Sequence, residues 1–208
     1  MIRIFFSIAV VFLLFQACQT TQTDEDESLP VLGFPDIENG DTTEHRIPDF
    51  KFVNQDSQLV TNATFEDKIY VADFFFTACP TICPKVKKQM LRLYEKYADE
   101  ADLMLLSHTV DVKRDTVGRL KEYATNLGVE SRRWQFVTGE HDEIYDIADD
   151  YFSIARVDPN VAGGFDHSGR LILVDSQRRV RAFCDGTSAE AVDRFILDID
   201  KLLEEEDG

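Results

Sequence analysis

The chain has 208 residues, 39 acidic against 22 basic side chains, and a formal charge of −17, so about one domain remains once its N-terminal segments are set aside. Nucleic-acid binding is excluded as a main role, because phosphate recognition needs clustered Lys and Arg. A 44% apolar content with 16 Phe supplies a sizeable core, and four cysteines are too few for a disulfide-built scaffold, so Cys18, Cys79, Cys83 and Cys184 are judged one by one.

Residues 1–17 carry Arg3 and then the apolar run Ile4–Phe15, the form of a secretory signal and shorter than a spanning helix requires. Ala17-Cys18 looks like a bacterial lipoprotein cleavage site, with Cys18 as the lipidated new N-terminus, although Phe15 and Gln16 stand where Leu and a small residue are usual. The expected location is extracytoplasmic, on the periplasmic side of a bacterial membrane, where cysteine pairs can be oxidised. Residues 18–45 are polar and acidic, with Asp24-Glu25-Asp26-Glu27, and are expected to be a flexible tether. The globular domain is expected over 46–208.

Within that domain, Ile47–Val53 and Gln58–Thr61 flank the polar turn Asn54–Ser57 and predict a hairpin. Ile69–Phe76, apolar except for Asp73, predicts a buried strand. Val86, Met90, Tyr94 and Tyr97 share one face of the helix that follows. Leu103–Ser107 predicts a second buried strand. Asp115 is expected to cap a helix through Leu120 and Ala124 that closes at Gly128. Trp134–Val137 predicts a short strand, and Ile144, Ile147, Ala148 and Tyr151 mark a third helix. Residues 153–169, with Pro159, Gly163, Gly164 and Gly169, are expected to be irregular. Leu171–Val174 and Val180–Phe183 predict a second hairpin. Thr187-Ser188-Ala189-Glu190 is expected to box the start of a last helix, and Glu204–Asp207 to be a solvated tail. Strands alternating with helices and ending in an antiparallel pair predict an α/β fold with a mixed sheet.

Cys79 and Cys83 sit where the buried strand hands over to a helix N-terminus, a place that favours thiolate over thiol. The Cys-x-x-x-Cys spacing is one residue longer than the Cys-x-x-Cys of thioredoxins. The pair can form and break a disulfide, or jointly bind a soft metal such as Cu(I). A zinc finger does not fit, because no second Cys or His pair follows at finger spacing. Cys184, alternating with Val180 and Ala182, is expected to be a buried, inert thiol. His45, His108 and His141 are expected to be ordinary surface or packing residues.

The segment Asp73-Phe74-Phe75-Phe76-Thr77-Ala78-Cys79-Pro80-Thr81-Ile82-Cys83-Pro84 resembles the Sco/SenC family, thioredoxin-like copper-binding proteins associated with assembly of cytochrome c oxidase. Asp166-His167-Ser168-Gly169 looks like that family's metal-histidine segment. Thr109–Thr116 resembles its Asp-x-x-x-Asp-Thr stretch, with Val117 where a proline is common. By position alone His167 is a loop histidine before a strand. The resemblance makes it the third ligand beside Cys79 and Cys83, and places Asp111 near the metal or behind a ligand.

The resemblance implies a thioredoxin-like fold with an N-terminal β-hairpin, and a membrane-anchored copper chaperone that helps assemble the binuclear copper site in subunit II of cytochrome c oxidase. Other copper chaperones or thiol reductants would be further partners. The alternative is a metal-independent thiol-disulfide oxidoreductase using Cys79 and Cys83. Against it stand the longer spacing and the lack of a proline immediately before Leu171. A peroxidase fits worse, since the spacing of Pro80-Thr81-Ile82-Cys83 is one residue short, and a redox or copper sensor would share the same site.

Overall fold

The structure is a computed structural model that describes residues 28–38 and 41–207. The signal segment 1–17, the lipidation candidate Cys18 and the acidic run 24–27 lie outside the described residues. Among the described residues, no helix is long and apolar enough to cross a membrane.

A short pair, β1 (Asp36–Glu38) and β2 (Asp41–Thr43), precedes the domain's main sheet. The elements that follow are β3 (Lys51–Asn54), β4 (Leu59–Thr61), β5 (Ile69–Phe75), α1 (Cys83–Lys96), β6 (Leu103–Thr109), α2 (Val117–Leu127), β7 (Trp134–Thr138) and α3 (His141–Asp150). The chain closes with β8 (Ala155–Val157), β9 (Phe165–His167), β10 (Arg170–Val174), β11 (Val180–Asp185) and α4 (Ala189–Glu206). Seven strands make one sheet in the order β11-β10-β5-β6-β7-β3-β4. Strands β5, β6 and β7 are parallel and the outer pairings antiparallel, so the mixed sheet, its flanking helices and the N-terminal hairpin β3–β4 are as expected.

Strand β5 lies inside the sheet and is buried along its whole length, which accounts for its near-continuous apolar run. Its side chains alternate between two cores. Tyr70 and Phe74 meet Tyr151, just past α3, and Phe74 stacks on His108 at 4.8 Å. Phe75 meets Tyr123 of α2 and Phe136 of β7 on the other face. Helices α1 and α4 lie side by side, joined by Arg92–Asp193 and by the Tyr97 hydroxyl, which donates to Asp200 at 2.7 Å.

Local expectations fail where distant parts of the chain intervene. Residues 153–169 are not irregular throughout: β8 and β9 pair antiparallel across a turn in which Gly163 and Gly164 take φ of +92° and +85°. Strands of three residues carry no readable alternation. Helix α2 is capped by Thr116, which accepts from the Arg119 N–H, because the Asp115 carboxylate is engaged elsewhere. Helix α4 is capped one residue later than the expected box, with Ser188 accepting from the Ala191 N–H, and its last turns contain Glu204–Glu206 rather than a loose tail.

The described part of the expected tether is fastened to the domain. Leu32 bridges Val180 of β11, and the Leu29 N–H donates to Glu205 of α4 at 2.7 Å. Arg181 explains this attachment. Its guanidinium is buried, and it donates to the Leu29 and Pro30 carbonyls while pairing with Asp175 and Glu205. A buried guanidinium needs acceptors, and the N-terminal segment supplies two of them.

Candidate metal centre

Strand β5 ends at Phe75, and the chain turns over Phe76–Ile82 before α1 begins at Cys83 with Pro84 next to it. Proline near the start of a helix costs no intrahelical bond. The turn is held from below by Asp115, whose carboxylate accepts the Thr77 N–H at 2.9 Å, the Thr77 hydroxyl and the Thr109 hydroxyl at 2.6 Å. Asp115 thus braces the cysteine loop from 38 residues away.

Strand β10 runs antiparallel beside β5, with Ile172 opposite Ala72 and Val174 opposite Tyr70. The start of β10 therefore lies at the end of β5 that feeds the cysteines, and β9 delivers His167 to the same end. Its Nε2 stands 3.0 Å from Cys83 Sγ and 3.8 Å from Cys79 Sγ. All three donor atoms lie within 4.8 Å of one another, and all three residues are buried. No disulfide joins Cys79 and Cys83. The ring of His167 is fixed edge-on to Phe76 at 5.3 Å, with Nδ1 3.4 Å from the Phe165 carbonyl. A hydrogen bond there leaves Nε2 as the lone-pair nitrogen facing the sulfurs. Burial pushes the His167 pKa down, against smaller opposing effects of that carbonyl and of Asp166, and so favours the neutral imidazole.

The two thiols differ. Burial raises both, but at Cys79 the hydrogen bonds from the Thr81 and Cys83 backbone N–H groups, with those of the same two side chains, together outweigh it and pull the pKa below the usual thiol value. At Cys83 burial wins, the neighbouring Cys79 and Asp73 add to it, and the thiol is held protonated. Two sulfurs and one imidazole nitrogen, one of the thiols already inclined to ionise, form a donor set suited to a soft metal ion.

Beneath the site is a cavity of about 10 Å³, at the lower limit for one water molecule, lined in part by Cys83, His167, Asp73 and Ser107. Asp73 is fully buried there. Burial pushes its carboxyl up to about 7 against the Ser107 hydroxyl, which donates to it and in turn accepts from the Trp134 indole at 2.8 Å.

A family model for SCO1/SenC matches residues 38–204. The chain belongs to the SCO1/SenC family. Among SCO1/SenC relatives, it is 29% identical over 161 residues to the SCO1 protein homolog of Bacillus subtilis, covering 76% of this chain and 83% of the relative. A SCO1/SenC family lipoprotein from Bacillus anthracis superposes with a TM-score of 0.69 at 27% identity, over 76% of this chain and 95% of that one. BsSco, described as a member of the Sco family of cytochrome c oxidase assembly proteins and as carrying a disulfide switch, gives 0.67 at 29% identity, over 76% and 93%. Arabidopsis thaliana ScoI, solved with copper bound, shares the fold at a TM-score of 0.64 and 23% identity, over 76% and 98%. The thioredoxin-like reading of this SCO1/SenC chain stands.

The fold gathers Cys79, Cys83 and His167, and leaves Asp111 out of that set. Asp111 is occupied by Arg114, whose backbone N–H and guanidinium both donate to it. Cys184 is half-buried on β11 opposite Leu171, with burial pushing its thiol up to about 12. Two residues around the site gave little sequence signal. Asp73 showed only as a polar break in an apolar strand, and Asp115 as an ordinary cap.

Proposed function

We propose that this SCO1/SenC protein holds one copper ion between the thiolates of Cys79 and Cys83 and the imidazole of His167, and passes it to the binuclear copper site in subunit II of cytochrome c oxidase. In this reading it works from the periplasmic side of a bacterial membrane, tied there by lipid on Cys18. The observation that carries the proposal is the convergence of two sulfurs and one imidazole nitrogen within 4.8 Å. The names of relatives support it: a putative copper-binding protein of Stutzerimonas stutzeri is 37% identical over 82 residues, and the Bacillus anthracis neighbour is called a lipoprotein.

The chain's own residues account for the chemistry. Cys79 is the sulfur that ionises first, and Cys83 gives up its proton as the metal loads. His167 arrives neutral and fixed by β9. Oxidation of the pair to a disulfide removes two of the three donors, so release and redox state are coupled.

The asymmetry of the thiols favours a second reading, reduction of a partner disulfide. Cys79 thiolate attacks one partner sulfur and forms a mixed disulfide while the other partner sulfur leaves as thiolate. Cys83 then loses its proton and attacks Cys79. The partner is freed as a dithiol, and a Cys79–Cys83 disulfide remains.

The test is an anaerobic Cu(I) titration of the reduced protein beginning at Ser28, against a competing chelator, beside His167→Ala. One tightly bound equivalent in the parent and binding weaker by about a hundredfold or more in the variant is the expected result. Equal affinity in both would sink the three-ligand site, and weak binding by both would favour the disulfide chemistry.

A further inference from the structure

We infer that Lys87 selects the oxidation state of the bound metal, holding a fixed positive charge beside the two sulfurs that favours Cu(I) over Cu(II). Lys87 follows Cys83 by four residues on α1, so the two side chains are neighbours on the helix surface. Both line the small cavity beneath the metal centre, on whose wall His167 and Asp73 also stand. Lys87 and Tyr123 are the half-buried members of that lining and the rest are buried, so these two close the cavity on its solvent side, between α1 and α2. The Lys87 ammonium is held there, 5.3 Å from the centre of the Tyr123 ring.

Other charges on the helix and around the cysteine turn are engaged or point away. Arg92 pairs with Asp193 and Lys96 with Asp200, while Lys85 and Lys88 are exposed. Lys87 makes no ion pair among the described residues, and its contact is the face of Tyr123. The Asp115 carboxylate is occupied by Thr77 and Thr109 beneath the cysteine turn, and Arg119, which donates to the Thr77 hydroxyl at 3.3 Å, is paired with Glu122. Asp73, on the cavity wall, is raised to about 7 by burial and is only partly ionised at neutral pH. Apart from the ligands themselves, the wall carries one full charge, and it is positive.

The direction follows from the charge of the centre. Two thiolates and a neutral imidazole around Cu(I) carry one net negative charge, and around Cu(II) they carry none. A fixed cation lowers the energy of the first and leaves the second nearly unaffected. The metal-free centre, with Cys79 as thiolate and Cys83 as thiol, also carries one negative charge. Loading Cu(I) with loss of the Cys83 proton therefore changes no net charge beside Lys87, whereas loading Cu(II) with the same proton loss brings an added positive charge toward it. The closed, nearly dry cavity transmits this field, and the half-exposure of the ammonium limits it to about tenfold in the ratio of the two affinities.

The inference deepens the copper-binding reading and rests on it. Copper-loaded protein is carried through an anaerobic, mediated redox titration as the parent, Lys87→Met, Lys87→Arg and Lys88→Met. Methionine keeps an unbranched stem over Tyr123 without the charge, and Lys87→Gln stands in if Lys87→Met does not fold. Expected is a Cu(II)/Cu(I) potential lower by about 59 mV in Lys87→Met, the one-electron equivalent of a tenfold change. Lys87→Arg should be parent-like, and Lys88→Met should shift the potential far less. In the metal-free, reduced protein, alkylation of Cys83 by iodoacetamide should slow by about threefold in Lys87→Met, because the thiolate loses the same cation. An unshifted potential without the Lys87 charge, or an equal shift in Lys88→Met, would overturn the inference and leave the copper reading standing. A parent that binds no copper would remove both. Slower alkylation with an unshifted potential would confine Lys87 to the metal-free thiols and overturn the selection of oxidation state.

Discussion

Cys83 Sγ stands 3.0 Å from His167 Nε2 although 84 residues separate them in the chain. The pairing of β10 with β5 brings their segments to one end of the sheet, so the donor set is assembled by the fold. Residues that hold β9 or the cysteine turn are therefore expected to matter to the metal without touching it.

The thiols should react unequally. Cys79 is pulled toward thiolate and Cys83 held as thiol, and only the thiolate is nucleophilic. Brief iodoacetamide treatment of the reduced protein at neutral pH should label Cys79 faster by about tenfold or more. Peptide mass spectrometry reads the ratio, and equal labelling would contradict the asymmetry.

Gly163→Ala should loosen the metal centre. At φ +92° an added Cβ is strained, and it would also meet Phe76, which abuts His167. A stability loss of about 1–3 kcal/mol by urea unfolding is expected, with weaker Cu(I) binding. Gly164, where a Cβ would meet nothing, has φ +85°, so Gly164→Ala should cost stability through backbone strain while disturbing Cu(I) binding less.

Two buried groups should give stability opposite slopes with pH. Asp73, raised from 3.8 to about 7, binds its proton more tightly folded than unfolded, so its contribution falls as pH rises from about 4 through 7. His108, lowered by burial from 6.5 to about 3, binds its proton more tightly unfolded, so its contribution is present above 6.5 and is lost as pH falls toward 3. Each could reach on the order of 4 kcal/mol as a ceiling. Asp73→Asn should flatten the first slope and His108→Phe the second. Urea midpoints across pH check both, and unchanged slopes would refute the assignment.

Removing the Arg181 side chain should cost about 3–5 kcal/mol, because buried Asp175 loses one of its two arginine partners and the Leu29 and Pro30 carbonyls lose their donor. Arg181→Ala should also make the peptide bonds near Leu29 cleavable by dilute protease while the sheet remains protected. Parent-like resistance there would show that the segment is held by other contacts.

Much of this was legible in the chain. The run Ile69–Phe75 and the spacing of Val86 and Met90 gave the strand, the turn and the helix around the cysteines, because burial on β5 and on one face of α1 follows directly from apolar pattern. His167 was legible only through resemblance, since β9 is three residues long and its placement depends on glycine turns and on a neighbour strand distant in sequence. Asp115 misled for a similar reason. It has the chemistry of a cap, but Thr77 and Thr109 take its oxygens, and Thr116 caps in its place. Arg181 sits in an alternating strand whose pattern says nothing of Leu29, 152 residues earlier, supplying its acceptor.

The fastening of Leu29 and Leu32 also fixes where mechanical load enters the domain. A pull applied at Ser28 arrives at Val180, Arg181 and Glu205, at the turn end of the β10–β11 hairpin. The cysteines and His167 stand at the other end of that hairpin, about 17 Å away along a five-residue strand. Tension on the N-terminal segment would be borne by an arginine clamp and a strand bridge, and the buried donor atoms would sit at the unloaded pole.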